Sequence, residues 1–453
     1  MMRGMSGGTA TTRAGRRRRE KLDRRHVVGL PQLRFIEGML GSLRAAGDHP
    51  NRKLFFDDLV IALLLAFYNP VARSLRGVED ASQMPGINQH LDIDAIRRST
   101  ASDAMSAFDP QLLVPLIAHL RQQVAPRQMD AADPTLRGLL NRLLAFDGSY
   151  FRTAADAGWA LRERHGANAR LRGRVRLNLH LSVRDGLPAG VSVAGQGDAG
   201  ETVAVLEGVE AGQIVVADRG CFSHDTVHGL LTRKADLVLR LQRGVRCEVI
   251  AERALTQDDR DAGVVGDQTV ILGGCKNTHP RVPMRLVTIQ PPPEQGDCCR
   301  NDASMKSTDS TSSPEVMNTT DACEATHASA GPIRLLTSIT DDTVAAWMIG
   351  HLYRRRWDIE LFFRWLKTCA RWEHLMSQSR GGVLIQMYVA LIGTLLLSLH
   401  TGRQPDRYSY NLMCMVAAGQ GSVDDALAIL RRRHAERDRD RQRRRQRLQH
   451  QPA

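Results

Sequence analysis

The sequence predicts an α/β protein, a layered sheet domain preceded by a helical region. Three observations point there. Between residues 140 and 243 the pattern runs three strands, helix, strand, helix, strand, the order of a sheet covered by helices. Upstream, residues 31–125 carry only helical periodicity, with 54–68 reading LFFDDLVIALLLAFY. Downstream, Tyr353 to Lys367 reads YRRRWDIELFFRWLK, apolar around most of a helix's circumference and therefore a buried helix.

Residues 1–30 are basic with few apolar positions, a disordered arm. Within the helical 31–125 region, Asn69-Pro70 breaks the apolar run, Ser99 is placed to cap a short helix through Phe108 with Asp103 in its first turn, and 111–120 is amphipathic. A small helical domain in a basic protein suits a DNA reader and equally a plain scaffold. After a linker at 126–133, residues 143–146 form a short buried strand ending at Asp147-Gly148-Ser149. Val175, Leu177, Leu179, Leu181 and Val183 alternate with polar residues, Asp185-Gly186 makes a turn, and 190–194 returns as the next strand. A helix at 201–210, a strand at 214–217 ending at Asp218-Arg219-Gly220, a helix at 223–232 and a strand at 236–241 complete this part.

Residues 244–290 hold short strand-like pieces at 247–250, 269–272 and 284–289, a β-rich insertion. Residues 291–330 are rich in Ser, Thr, Asp and Pro and read as a disordered connector. The segment 331–402 returns to the layered core with a strand at 333–338, a helix near 343–347, the Tyr353–Lys367 stretch and a last core helix at 383–400. Residues 403–453 read as a basic, largely disordered tail.

A net charge of +13 and a pI near 9.8 over 453 residues favour a polyanionic partner, nucleic acid first. The eight cysteines include no CxxC pair, so neither a zinc ribbon nor a redox motif is indicated, and Cys323 with His327 is a poor ion site in a polar tract. A reduced, cytoplasmic, nucleoid-associated protein is expected. The basic start has no apolar stretch behind it, which argues against a signal peptide. The most apolar run, 383–399, is interrupted by Gln386 and short for a span, so no membrane partner is expected.

The chemistry sits at three places. Asp147 and Asp218 each follow a run of buried strand residues and precede turn residues, which sets a carboxylate at a sheet rim. Tyr353, Arg356, Glu360 and Lys367 are spaced three, four and seven apart, within roughly 60° of one another on a continuous helix. A phenol, a guanidinium, a carboxylate and an ammonium on one face suit a metal ion meeting a phosphate, though snorkelling basic residues on a core helix would give the same spacing. Three hard oxygen ligands suit Mg²⁺, and two such ions about 4 Å apart activate the attacking and stabilise the leaving oxygen of a phosphoryl displacement.

Asp147-Gly-Ser, Asp218-Arg-Gly and the Y-x2-R-x3-E-x6-K spacing together resemble the DDE transposases of bacterial insertion sequences, in the group defined by that Tyr-Arg-Glu-Lys signature (the insertion-sequence-four type). The region from Leu54 to Pro110, with Asn69-Pro70, Ser74-Leu75-Arg76 and Phe108-Asp109-Pro110, also resembles that family. The resemblance implies a ribonuclease H-like catalytic core interrupted by a β-rich subdomain, with Asp147, Asp218 and Glu360 as catalytic metal ligands for two Mg²⁺ ions, Mn²⁺ substituting. It implies hydrolysis at the element's ends, then attack of the freed 3′-hydroxyl on target DNA. Tyr353, Arg356 and Lys367 would grip phosphates of double-stranded DNA, and a homodimer would hold the two ends. Residues 244–330 contain no Trp, Tyr or Phe, so a hairpin route that stores a flipped base on an aromatic of the insertion is not expected.

Other readings stay open. Gly195-Gln-Gly197-Asp-Ala-Gly200 matches a dinucleotide-binding pattern with Asp218 18 residues on, but leaves Asp147 and the basic charge without a role. A domesticated or inactive DNA-binding derivative, or a two-metal nuclease without strand transfer, would carry the same residues.

Overall fold

A computed structural model describes residues 37–45, 53–69, 72–85, 93–125, 133–153, 157–163, 172–273, 281–290, 331–369, 374–418 and 420–449. The expected arm at 1–30 and connector at 291–330 lie outside them, as do Pro70, Cys323 and His327. In chain order the elements are α1 (Glu37–Ala45), α2 (Phe56–Tyr68), α3 (Leu75–Ser82), α4 (Arg98–Ala107), α5 (Val114–Gln123), α6 (Pro134–Asn141), β1 (Leu143–Thr153), β2 (Leu161–Glu163), β3 (Arg172–Ser182), β4 (Leu187–Ala194), α7 (Glu201–Ala204), β5 (Ile214–Ala217), α8 (His224–Thr232), β6 (Asp236–Arg240), β7 (Cys247–Glu252), α9 (Gln257–Asp261), β8 (Val264–Leu272), β9 (Met284–Ile289), β10 (Ile333–Thr337), α10 (Ala346–Arg354), α11 (Trp357–Arg364), α12 (Arg380–Thr401), α13 (Arg407–Ala417) and α14 (Val423–Gln449). The chain divides into two compact units, one of residues 1–128, 148–199 and 358–453, the other of 129–147 and 200–357.

The first unit is built on α2 and α12. Every residue of α2 is buried, including Asp57 and Asp58, whose carboxylates accept hydrogen bonds from Arg44 Nη1 at 3.2–3.4 Å. Acidic residues in a first turn also face the positive end of the helix dipole. Tyr68 donates its hydroxyl to the Gly393 carbonyl of α12, and a Cβ at Gly393 would come within 2.6 Å of the Phe67 ring, so only glycine admits this approach. The α12 helix is long and apolar enough to cross a membrane, but its most apolar 18-residue window is 89% buried inside the protein, as the sequence predicts for a core helix. Ser379 caps it, accepting from Gly382 N at 3.0 Å. Strand β3 pairs antiparallel with β2 and β4, and Arg121 of α5 bridges to Asp185 in the β3–β4 turn at 3.0 Å. The helix expected to start at a Ser99 cap begins two residues earlier, with Arg97 at the N-cap and no side-chain capping bond.

The expected disordered tail is corrected for residues 407–417 and 423–449, which are helical. Asp406 and Ser409 form a capping box for α13, whose Tyr410, Met413 and Val416 are buried, and Tyr410 donates to the Phe67 carbonyl. Arginine, glutamine and alanine are good helix formers, so a charge run need not be a coil.

In the second unit β1, β5 and β6 are parallel neighbours, followed by β10, β9, β8 and β7 in antiparallel pairs. Strand β5 is IVVA with all four residues buried, the continuous apolar pattern of a strand covered on both faces. The strands of the β-rich stretch do not form a separate sheet. They extend this one through β10, and Val270, Leu272, Met284 and Leu286 share a core with Val215, Ala217, Leu237, Leu239 and Leu336. The helix expected over 201–210 shrinks to the four residues of α7, because the chain turns through Gly208 at φ 66°, a left-handed conformation that favours glycine. Arg285 and Asp267, each 3% exposed at the side chain, form a two-pronged ion pair at 2.8 and 2.6 Å, and Arg285 Nη1 also donates to the Val344 carbonyl at 2.6 Å.

That pair ties β8 and β9 to the segment leading into α10. Arg285→Ala leaves the buried Asp267 carboxylate with the weaker Arg253 contact at 3.8 Å and should lower stability by about 3 kcal/mol, read as a reduced urea midpoint with an unchanged slope.

Candidate active site

The register of β1 on β5 aligns Ala145 with Val216, and the same offset carried two residues on sets Asp147 level with Asp218. On β5 and β6, Ala217 aligns with Leu239, so the next pair is Asp218 and Arg240. Adjacent strands lie about 4.8 Å apart, so the sheet fixes a row of two carboxylates and a guanidinium. Asp218 ends its strand as expected, at the head of a 3₁₀ turn from Arg219 to Cys221. Asp147 does not: β1 runs on through Gly148 and Ser149 to Thr153, so this carboxylate is within a strand. An Asp-Gly-Ser triplet is compatible with extended backbone, and Phe151 is buried further along to hold it.

Each aspartate has a cation or hydroxyl against it. The Tyr353 hydroxyl donates to Asp218 Oδ1 at 2.9 Å, Arg240 Nη1 is 3.6 Å from the same oxygen, and Arg356 Nη1 is 3.9 Å from Asp147 Oδ2. The Arg356 guanidinium also lies 6.0 and 5.8 Å from the ring centroids of Tyr353 and Trp357. Burial raises the Asp218 pKa, but the Arg219 backbone N–H, the Tyr353 hydroxyl and the Arg356 and Arg240 charges outweigh it and leave the acid below its ordinary 3.8. Burial and then the Asp218 charge push Tyr353 up to about 12, which keeps it a protonated donor. Cys221 is raised by burial and then by the negative charges of Glu201, Asp147 and Asp218, so it is an inert thiol beside an acidic cluster.

The expected continuous helix from Tyr353 to Lys367 is interrupted. Arg355 and Arg356 form a turn between α10 and α11, where Arg355 N bonds Leu352 O at 3.1 Å and Arg356 N bonds Tyr353 O at 3.0 Å, the tightened pattern of a helix end. Trp365–Cys369 then adopts a π-helical turn. The four signature residues therefore do not lie on one continuous α-helix. Tyr353 and Arg356 meet the aspartates, as just described, in the second unit. Glu360, half-buried, stands in the first turn of α11 in the first unit. Lys367, in the π-turn of that unit, donates to Ser149 Oγ at 2.8 Å and lies 4.9 Å from the Phe151 ring centroid. Among the described residues no three His, Cys, Asp or Glu side chains converge as an ion cage.

Sequence reasoning missed Arg240 and Ser149. Arg240 closes its strand level with Asp218, a signal available only once β5 and β6 are known to be neighbours. The dinucleotide pattern has a structural explanation. A Cβ at Gly195 would come within 2.0 Å of the Trp159 carbonyl, which also accepts from Gln196 N at 2.7 Å, and β4 is antiparallel to β3 rather than the first strand of a parallel unit.

Residues 139–396 match the family model described as a transposase DDE domain. The transposase for insertion sequence element IS421 of Escherichia coli is 30% identical over 178 residues, which are 37% of this chain and 45% of that protein. The y4zB transposase relative of Sinorhizobium fredii is 24% identical over 201 residues, 44% of this chain and 45% of that one. The chain thus spans less than half the length of the curated relatives it matches. A solved piggyBac transposase synaptic complex with hairpin DNA aligns over 90% of this chain and 82% of its own at 10% identity, with a TM-score of 0.37, too low to guide a reading of this fold.

Removing the Tyr353 hydroxyl should loosen Asp218. A depressed carboxyl contributes stability above its unfolded value near 3.8 that is lost as pH falls through the lower folded value. In Tyr353→Phe the Asp218 midpoint, followed by NMR, should move up toward 3.8, and acid unfolding should begin at higher pH than in the parent.

Proposed function

The chain belongs to the transposase DDE domain family, and on that premise we propose that it is a DNA transposase of the Tyr-Arg-Glu-Lys group, cutting at insertion-sequence ends and joining the freed strand to target DNA. The observation that carries the reading is the Asp147–Asp218 pair on adjacent parallel strands, with Tyr353 and Arg356 against it. We read the core as ribonuclease H-like, supported by three parallel strands β1, β5 and β6 and by the antiparallel hairpin β3–β4 that follows β1 in the chain. Residues 31–125 act as the DNA-reading domain in this proposal, two copies assemble on DNA, and the protein works in the cytoplasm on the nucleoid.

Asp147, Asp218 and Glu360 are the proposed ligands of two Mg²⁺ ions. The donor set fits: two carboxylates, 30% and 36% exposed, offer hard oxygens at the edge of the buried core, and such ions when bound supply charge neutralisation and an activated oxygen nucleophile. Arg356 is positioned to hand its charge from Asp147 to a phosphate oxygen, since a guanidinium matches phosphate in geometry as well as charge. Tyr353 donates a hydrogen bond and orients Asp218. Lys367, steadied by Ser149, supplies a point charge for a neighbouring phosphate.

The test is cleavage of labelled element-end DNA by the purified chain with Mg²⁺ or Mn²⁺. Asp147→Asn, Asp218→Asn and Glu360→Gln should each lower the cutting rate by more than about a hundredfold while leaving DNA binding in place, and Lys367→Ala should cost about tenfold or more. Equal binding with no cutting by the parent chain under any divalent ion would overturn the enzymatic reading.

A further inference from the structure

We infer that α14 is a DNA-backbone-binding arm: its outer arginine stripe grips duplex phosphates without reading sequence. The inference rests on the reading of this chain as a DNA-acting protein and adds a surface that lies outside the signature residues.

The helix has two parts with different chemistry. Its first turns are an anchor. Ser422 and Asp425 exchange capping bonds at 3.1 and 3.0 Å, and Val423, Ala426 and Leu430 are buried at helical spacing. Arg437 pairs with Asp406 at 2.8 Å, Arg403 with Asp438 at 3.2 Å, and the Arg433 guanidinium stacks 4.0 Å from the Tyr408 ring centroid. These contacts fix one side of α14 toward α13.

About 100° round the helix lies another row, Arg432, Arg439 and Arg443, at spacings of seven and four. All three are exposed, and none has a carboxylate partner among the described residues. Residues 441–449 add Arg441, Arg444, Arg445 and Arg447 and no acid at all. Glu436 lies within this row, four residues after Arg432 and three before Arg439, while the like-charged Arg439 and Arg443 stand at i, i+4 and repel until something anionic covers them.

The composition selects the occupant. Between Arg431 and Gln449 only Ala435 and Leu448 are apolar, so this stretch offers no heptad seam for a second copy and no apolar face to sink into a lipid surface. From Arg431 to Gln449, roughly 28 Å of helix, ten arginines outnumber Glu436, Asp438 and Asp440 and meet a polymer that carries one negative charge per 1.7 Å or so of axis.

The experiment compares the full chain with the triple variant Arg432→Gln, Arg439→Gln, Arg443→Gln on a random-sequence DNA duplex by fluorescence anisotropy across salt. Three lost phosphate contacts should reduce the slope of log affinity against log salt by roughly 2.7. Arg→Lys at the same three positions should restore the slope, and duplex DNA should raise helical circular dichroism in the parent more than in the Gln variant. An unchanged slope in a variant with the parent's melting curve would overturn the inference. So would loss of binding to anionic phosphatidylserine vesicles, or of self-association, with DNA binding intact. A slope loss in a chain that cuts no DNA would sink the proposed enzyme while leaving this arm standing.

Discussion

Two acids side by side on adjacent parallel strands repel, and the chain around them answers that repulsion. Tyr353, Arg356 and Arg240 oppose this from three directions. Burial alone would raise the Asp218 pKa, and the Arg219 N–H, the Tyr353 hydroxyl and the Arg356 and Arg240 charges together leave it below its ordinary value. The register can impose the juxtaposition because β5 is buried throughout and its neighbours cannot slip without exposing a whole face.

Much of this was legible in the chain. The order of strands and helices between 143 and 240, the aspartates after apolar runs and the buried nature of α12 all follow from periodicity. What was not legible depends on tertiary partners. The stretch from Tyr353 to Lys367 has helix-forming residues throughout, and nothing local marks the turn at Arg355 and Arg356 or the π-turn that carries Lys367. The strand beyond Asp147 was missed because Gly148-Ser149 has turn chemistry as readily as extended geometry, and Phe151 decides between them by finding a buried site. Continuity of the β-rich stretch with the main sheet rests on β10, whose partners are far away in sequence.

Local composition left two outcomes to be decided by tertiary contacts. The arginine-rich end suggested a coil, yet a few buried anchors and a capping box suffice to begin a helix of 27 residues. The glycines at 195–200 suggested a phosphate cradle, yet Gly195 is required by the Trp159 backbone. In each case a side chain or carbonyl from another part of the chain set the outcome.

The partnership of α2 with α12 has a consequence for how the protein is made. Tyr68 and Gly393 are 325 residues apart, so a ribosome needs roughly a quarter of a minute to a minute after finishing α2 before its partner emerges. During that interval thirteen residues destined for full burial have only nascent company, and chaperones are their natural shelter. A message broken before Arg380 would therefore yield a species fit for proteolysis rather than a folded first unit.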